Sequence, residues 1–271
     1  GIELQRNEIG GGAIGLGILK SQNNKLADNT ITGSANAIFI QDSNGQEIEN
    51  NRINKADYGM RLDNSSQNSI RQNIVENSTT GFDIGTSQEN TVTENQISNI
   101  KDTAVQITSS SENSFQANRI TNSFRGLILF ESSANLLAAN SFQNVDWSLY
   151  VESATKEGFD NSINESNMVD LVPIVYLFGE SGGQIQDREV AHLTLAYCDN
   201  VTVKNTTITS DAVFLFNSKN NKIQNNNISE CFGMRLVQSF GNEIFGNQLL
   251  GNKYSGIFLY GSDLNEIGEN N

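Results

Sequence analysis

The sequence predicts an all-β protein, a single-stranded parallel β-helix of about 12–13 coils with roughly 22 residues in each coil. Three observations predict this fold: an asparagine that returns at a constant interval, a short apolar strand pattern that keeps the same interval, and the absence of apolar patterns long enough for a helix. The composition agrees, because 39 of the 271 residues are Asn, only one is Pro and 18% are charged. This balance is typical of an ordered chain rather than a disordered one.

The asparagine repeat is the main evidence for the fold. It follows the pattern N-x-[ILVF]-x-x-N-x-[ILVF], of which residues 24–31 are one example, and the first four steps of its second Asn are 22 residues each. Equivalent residues of successive coils stack about 4.8 Å apart, so a recurrent Asn is expected to form a ladder of amide hydrogen bonds inside a turn. Asn used only as a surface turn former would be scattered. The predicted ladder consists of Asn7, Asn29, Asn51, Asn73, Asn95, Asn118, Asn140, Asn226, Asn247 and Asn270, and the pattern drifts at Ser166 and Thr206 between its two runs.

The strand pattern is a small residue followed by alternating apolar positions, as in residues 59–62, 81–84 and 126–129. It predicts two or three short strands in each coil, and counting back from the ladder identifies the outward positions. One outward column reads Gly17, Phe39, Arg61, Asp83, Gln106, Ile128, then Thr194, Phe214, Arg235 and Phe258. Its neighbour reads Leu19, Gln41, Asp63, Gly85, Thr108, Phe130, then Ala196, Phe216, Val237 and Tyr260, with Tyr150 and Glu152 expected at the corresponding places of an irregular coil.

The domain prediction is one β-helix over residues 1–271, with an irregular, loop-bearing coil at about 166–206 that passes through Gln184 and Ile185. The repeat already runs at Leu4 and still runs at Asn270, without polar caps. We therefore expect a fragment of, or a piece continuous with, a longer assembly, and a targeting segment outside this chain.

Charge and composition exclude two kinds of partner. The net charge of −14 opposes binding to a phosphate backbone, so we expect no nucleic acid. No apolar stretch reaches the ~18 residues of a membrane span, so we expect no membrane insertion. Cys198 and Cys231 have no metal-ligand spacing, and we expect no disulfide between them because they fall on different sides of the coil.

Residues 172–177 (VPIVYL) and 190–205 (VAHLTLAYCDNVTVKN) resemble the NosD-like branch of the right-handed parallel β-helix superfamily, whose repeats are called CASH repeats, and are similar to its archaeal surface-protein members. The resemblance covers nearly the whole chain. It implies a right-handed coil, a location that is extracellular or at the cell surface, with the periplasm as second choice, and a polysaccharide or cell-envelope component as partner. It does not transfer an activity, because the family mixes enzymes, adhesins and structural modules.

The resemblance also raises copper, because NosD proper is associated with copper delivery. His192 is the only histidine, and the remaining soft donors lie on different coils, with core packing expected for Met60 and Met234. We expect no metal and no cofactor. Calcium is compatible with the acidic composition but unsupported, because the G-G-x-G-x-D nonapeptide is absent.

One outward cluster is a candidate ligand site, formed by Arg61, Asp63, Asp83 and Gln106, with Tyr150 further along the same column. Two carboxyl groups roughly 5–9.5 Å apart can perform acid–base chemistry on a glycosidic bond. Arg61 could lower a carboxylate pKa or hold an acidic sugar. A solvated charged patch explains the same residues, and this interpretation is favoured, so we commit to no catalytic residue; the alternative assigns catalysis to Asp63, Asp83 and Arg61.

A second feature is an apolar stripe expected to be exposed, formed by Phe130, Phe214, Phe216, Phe258 and Tyr260, with Ile128 and Trp147 nearby. Such a stripe indicates a covered surface, and protein contact is favoured over a saccharide groove. The predicted function is a non-catalytic structural or adhesive module outside the cell, with carbohydrate as candidate ligand. Other copies or domains would meet it end to end or along the stripe. The alternative is a polysaccharide-active enzyme (hydrolase, lyase or epimerase) that uses the carboxylate and Arg groove.

Overall fold

A computed structural model describes residues 1–271, which form two compact units, Gly1–Ser162 and Ile163–Asn271. Each unit is a solenoid of short parallel strands, as predicted. The only helix is a 3-10 turn at Glu157–Phe159, so no helix could cross a membrane. The single domain over residues 1–271 stays a prediction.

The strands of the first unit are β1 (Glu3–Gln5), β2 (Glu8–Gly10), β3 (Ile14–Leu19), β4 (Lys25–Ala27), β5 (Thr30–Thr32), β6 (Asn36–Gln41), β7 (Glu47–Glu49), β8 (Arg52–Asn54), β9 (Tyr58–Asp63), β10 (Ser69–Arg71), β11 (Ile74–Glu76), β12 (Thr80–Gly85), β13 (Thr91–Thr93), β14 (Gln96–Thr108), β15 (Ser114–Gln116), β16 (Arg119–Phe130), β17 (Leu136–Ala138) and β18 (Ser141–Glu152). Each strand pairs in parallel with the strand one coil away, as in the register of Leu26, Ile48, Ile70 and Val92. These four side chains are fully buried, so the core is a set of apolar columns.

The remaining strands are β19 (Ser162–Ile163), β20 (Met168–Val169), β21 (Val172–Phe178), β22 (Gln184–Gln186), β23 (His192–Ala196), β24 (Thr202–Lys204), β25 (Thr207–Ile208), β26 (Val213–Phe216), β27 (Lys222–Gln224), β28 (Asn227–Ile228), β29 (Met234–Val237), β30 (Glu243–Phe245), β31 (Ile257–Tyr260) and β32 (Glu266–Gly268). The predicted strand through Ile185 is β22, which pairs in parallel with β24. The predicted bounds of the irregular coil are wrong at both ends. Irregular backbone lies at residues 153–171, where β20 pairs antiparallel with β21, and regular coils resume from Val172.

The asparagine ladder is confirmed in both units. Each side-chain amide donates to the Oδ1 of the next coil, as from Asn73 Nδ2 to Asn95 Oδ1 (3.0 Å), and that Oδ1 also accepts the backbone N–H of Asn73 (2.9 Å). The amide of Asn73 donates in addition to the backbone oxygen of Ile48 (2.9 Å), so every polar atom of this buried side chain is satisfied. Thr206 occupies a ladder position, where its backbone N–H donates to Asn226 Oδ1. Ser166 does not join the ladder, because it is exposed while the neighbouring Asn167 is buried.

Two further ladders run in the same units. The first Asn of the sequence pattern stacks as well, in the run Asn24, Gln46, Asn68, Asn90, Asn113, Asn135 and Asn161. A serine ladder accepts backbone N–H groups at Ser43, Ser65, Ser87, Ser110 and Ser132. Both ladders have the same period in the sequence as the predicted one, but the prediction covered only the second Asn of the pattern. Each corner of the coil therefore has its own internal polar column.

The predicted outward columns match the strand register. Arg61 is paired with Asp83, Asp83 with Gln106, Gln106 with Ile128 and Ile128 with Tyr150. A steric constraint explains why a small residue stands at the start of these strands. A Cβ on Gly81 would lie 2.3 Å from a backbone oxygen of the next coil, and a Cβ on Gly126 would lie 2.4 Å from one.

Candidate functional site

The candidate site lies on the outer face of unit 1, meaning the outward side chains of β9, β12, β14, β16 and β18. One column of this face carries Arg61, Asp83, Gln106, Ile128 and Tyr150, and the adjacent column carries Asp63, Gly85, Thr108, Phe130 and Glu152. The structure thus brings all five predicted ligand-binding residues onto one face. Five successive strands at about 4.8 Å make this face some 19 Å long, which suits an extended ligand better than a compact one.

One end of the face is acidic. Arg61 Nε lies 3.4 Å from Asp83 Oδ2, and its guanidinium also sits over the ring of Tyr58, 5.4 Å from the ring centre. Burial raises the pKa of Asp83, the Arg61 charge lowers it and the Asp63 charge raises it, so the pKa ends above its ordinary value. Arg61 therefore lowers the pKa of this carboxyl group, as expected, but desolvation of the half-buried side chain outweighs the ion pair.

The two carboxylates have the arrangement that the sequence predicted. Asp63 and Asp83 lie on adjacent coils, in columns two residues apart. Strand spacing and residue rise place their Cα atoms about 8 Å apart. Thr86 Oγ1 is 3.5 Å from Asp63 Oδ1, and the guanidinium of Arg61 is paired with Asp83. Arg61 is therefore already engaged and is poorly placed to hold an acidic sugar.

The other end of the face is an aromatic pocket of 330 Å³, lined by Gln106, Arg125, Ile128, Phe130, Trp147, Tyr150 and Glu152. The rings of Trp147 and Tyr150 are 5.4 Å apart at an angle of 36°. Tyr150 is only 8% exposed and forms the floor, whereas Phe130 is 42% exposed and forms the rim beside the exposed Glu152. An apolar ring face beside polar side chains suits ligands that have an apolar face and polar hydroxyl groups, such as sugars.

Arg125 is the residue of this pocket that the sequence analysis missed. It belongs to a third outward column, in which it is paired with Thr103 and Trp147, whereas only two columns were counted from the ladder. Its Nη1 lies 3.2 Å from Asp102 Oδ1, and its guanidinium sits over the ring of Phe124, 5.2 Å from the centre. Counting back fifteen positions from Asn118 and Asn140 gives Thr103 and Arg125 and would have found this column.

The predicted apolar stripe is only partly exposed. Tyr260 is 62% exposed and Phe258 is half-buried, but Phe214 and Phe216 are 4% and 3% exposed. Their assignment to an exposed surface is wrong. An outward direction does not ensure exposure where outward rings cover one another, and Phe214 lies 5.6 Å from the rings of both Phe216 and His192.

A buried polar network lies in unit 2. His192 Nδ1 is 3.0 Å from Asp211 Oδ2, and its Nε2 is 2.7 Å from Thr194 Oγ1. The H-x-T spacing places the His192 and Thr194 side chains on one face of a strand. All three residues are at most 2% exposed, so no substrate reaches the hydroxyl and the network is structural.

Taken together, the coils and their internal amide ladders define the chain as a β-helix protein with a polar and aromatic outer face in unit 1. The chain belongs to the NosD family, because the family model described as periplasmic copper-binding protein (NosD) matches residues 1–170 and 155–271. The family description agrees with the expected location outside the cytoplasm. No protein of curated function matches the chain.

Solved structures show the same fold at low sequence identity. The A-module of a mannuronan C-5 epimerase from Azotobacter vinelandii is 12% identical, with 100% of this chain and 90% of that chain covered and a TM-score of 0.52. The catalytic domain of a GH87 α-1,3-glucanase in complex with nigerose is 14% identical, with 100% and 64% covered and a TM-score of 0.52. The corresponding catalytic unit from Streptomyces thermodiastaticus is 14% identical, with 99% and 65% covered and a TM-score of 0.50. The chain thus spans just under two thirds of the glucanase chains.

The family description makes copper a ligand to test against the side chains. Met60 and Met234 are fully buried in the apolar cores, and His192 uses both ring nitrogens in hydrogen bonds. Burial raises the pKa of both Cys198 and Cys231 to about 11, so these side chains remain neutral thiols. No three His, Cys, Asp or Glu residues are grouped closely enough to hold a metal ion. Met168 is 36% exposed, but one thioether does not make a copper site, so the soft donors of this chain do not fit one.

Proposed function

We propose that the chain is a non-catalytic carbohydrate-binding module of the cell surface, which holds an extended glycan along the outer face of unit 1. The observation that carries the proposal is the aromatic pocket, in which Trp147 lies beside Tyr150 at the end of a column of polar side chains. The pocket supplies a stacking surface, and Gln106 and Asp83 supply hydrogen bonds on the preceding coils.

Two features support a polysaccharide rather than a small ligand. The polar and aromatic groups recur in register along the face, so successive sugar units would meet equivalent positions on successive coils. The solved folds with TM-scores of at least 0.50 are named as enzymes of mannuronan and α-1,3-glucan. This makes polysaccharides the ligand class to test first.

The test is binding of the full chain to a glycan panel by calorimetry. We expect at least one glycan to bind and Trp147→Ala to weaken that binding roughly tenfold or more, as loss of an aromatic anchor does. Phe240→Ala is the control, because Phe240 is an aromatic residue that is 42% exposed and lies in unit 2. Absence of binding to every glycan, or equal affinity of the Trp147 variant and the parent chain, would contradict the proposal.

A polysaccharide-active enzyme is the second candidate, and the raised pKa of Asp83 favours it. A carboxyl group that keeps its proton to higher pH can act as a general acid, and Asp63 is the partner carboxylate on the adjacent coil. Turnover of any panel glycan that is lost in Asp83→Asn and retained in Asp28→Asn, an exposed control, would establish this function instead. Under the binding proposal the parent chain shows no turnover.

A further inference from the structure

We infer that the aromatic pocket binds a protonated amine, so the glycan recognised by the outer face of unit 1 is a polymer that contains amino sugars. The inference rests on the proposed function and specifies its ligand. It follows from the balance of charges on the face and from the walls of the pocket.

The two cations that lie in the three outward columns are already paired. Arg61 faces Asp83 at 3.4 Å, and Arg125 faces Asp102 at 3.2 Å. Both guanidinium groups are also stacked over an aromatic ring, which further fixes their positions. Neither group is therefore placed to attract an acidic sugar.

Two carboxylates remain without an ion pair. Asp63 and Glu152 belong to the same outward column, at opposite ends of the face, and neither forms a salt bridge. The outward columns, with Asp102 counted beside its partner Arg125, thus have a net charge of about −2, in a chain whose net charge is −14. A uronate polymer would be repelled by this field, whereas a polycation would be attracted to it.

The pocket adds local recognition of a cation. Glu152 is exposed at its edge, and the rings of Phe130, Trp147 and Tyr150 form its rim, wall and floor. The faces of aromatic rings attract ammonium groups, and the attraction is largest for Trp. A carboxylate beside such rings can take a charge-assisted hydrogen bond from the same ammonium group. Neutral sugars can offer this carboxylate hydroxyl hydrogen bonds but no opposite charge.

The experiment compares two ligands of equal length, the hexamers of glucosamine and of N-acetylglucosamine, at about pH 6, where an ordinary amine is charged. We expect the glucosamine hexamer to bind the full chain at least roughly tenfold more tightly, with an advantage that shrinks as salt is added. Glu152→Gln should abolish the advantage, and Glu112→Gln, an exposed residue outside the pocket, should retain it. Circular dichroism checks that both variants fold.

The outcomes separate the inference from the proposed function. Equal binding of the two hexamers, or an advantage that persists in Glu152→Gln, would overturn the amine site while leaving carbohydrate binding intact. Failure of both hexamers together with binding of a neutral or acidic glycan would also overturn only the amine site. Failure of every glycan on the panel would overturn the proposed function and the inference with it.

Discussion

At the scale of single residues, the ladder asparagines explain why this composition folds. A buried amide is costly unless all its hydrogen bonds are made, and each ladder Asn makes them with atoms that the next and preceding coils supply at a fixed position. Glutamine fits one position, Gln46, by donating to the backbone oxygen of Ser21. Aspartate would lack the donor, which accounts for the amide at every position of the two amide runs of unit 1.

Asn73 provides the direct test of this role. Asn73→Ala leaves the backbone N–H of Asn51 and the carbonyl of Ile48 without their side-chain partner inside the solenoid, so we expect a loss of about 3 kcal/mol in the free energy of unfolding. The control is Gln22→Ala, which removes an exposed amide outside the ladders and should change stability by less than about 0.5 kcal/mol. Chemical denaturation of both variants measures the difference, and equal effects would remove the ladder as a source of stability.

At the scale of the structural element, the turn before each ladder Asn is strained in a regular way. The preceding residue lies in the left-handed region in coil after coil, as at Asp28 (φ 57°), Gln72 (φ 56°) and Ala117 (φ 53°). This conformation costs an ordinary L-residue roughly 1–2 kcal/mol. The hydrogen bonds of the following Asn hold the turn in place. The ladder therefore stabilises the left-handed conformation that positions its own side chains.

Ala117→Gly should therefore stabilise the protein by about 0.5 kcal/mol, because glycine adopts this backbone without a steric cost and loses only part of the gain to chain entropy. Ala138→Gly is the matched control, since Ala138 lies within strand β17. There the same substitution should destabilise by roughly 0.5–1 kcal/mol. Thermal unfolding distinguishes the two, and effects of the same sign would show that strain in the turn is unimportant.

The sequence predicts well those features that depend on the period. The ladder from Asn7 to Asn140 and the outward column from Arg61 to Tyr150 follow from counting, because every coil repeats one backbone path. Burial and pKa depend on which side chains cover a residue, and counting positions along the repeat does not predict them. The burial of Phe214 and the raised pKa of Asp83 arise from neighbouring side chains whose packing has no period.

At the scale of the whole molecule, each unit is a stack of equivalent coils rather than a single interdependent core. Neighbouring coils of unit 1 are related by steps of 22 or 23 residues, except for the last step of 26 residues from Asn135 to Asn161, and each coil contacts mainly the coils beside it. Stability in such proteins is approximately a sum over repeats and their interfaces. The chain should therefore tolerate the loss of a complete coil but not of part of one.

Deletion of residues 30–51 removes one period and places Asn29 where Asn51 donates to Asn73. We expect a cooperatively folded protein that retains glycan binding, because the outer face from Arg61 onward is unchanged. Deletion of residues 30–40 removes half a period and should abolish folding, because every later side chain would change sides. Circular dichroism and calorimetry compare the two, and folding of the half-period variant would contradict the repeat as the unit of stability.

The amide ladders also have a direction. Every ladder bond from Asn7 to Asn140 runs from an Nδ2 on one coil to an Oδ1 on the next coil along the chain, never the reverse. The carboxamide dipoles consequently point the same way and add up, as peptide dipoles do in an α-helix. Unit 1 therefore has an electrical polarity along its ladder, with the positive pole toward Asn140, imposed by neutral side chains alone.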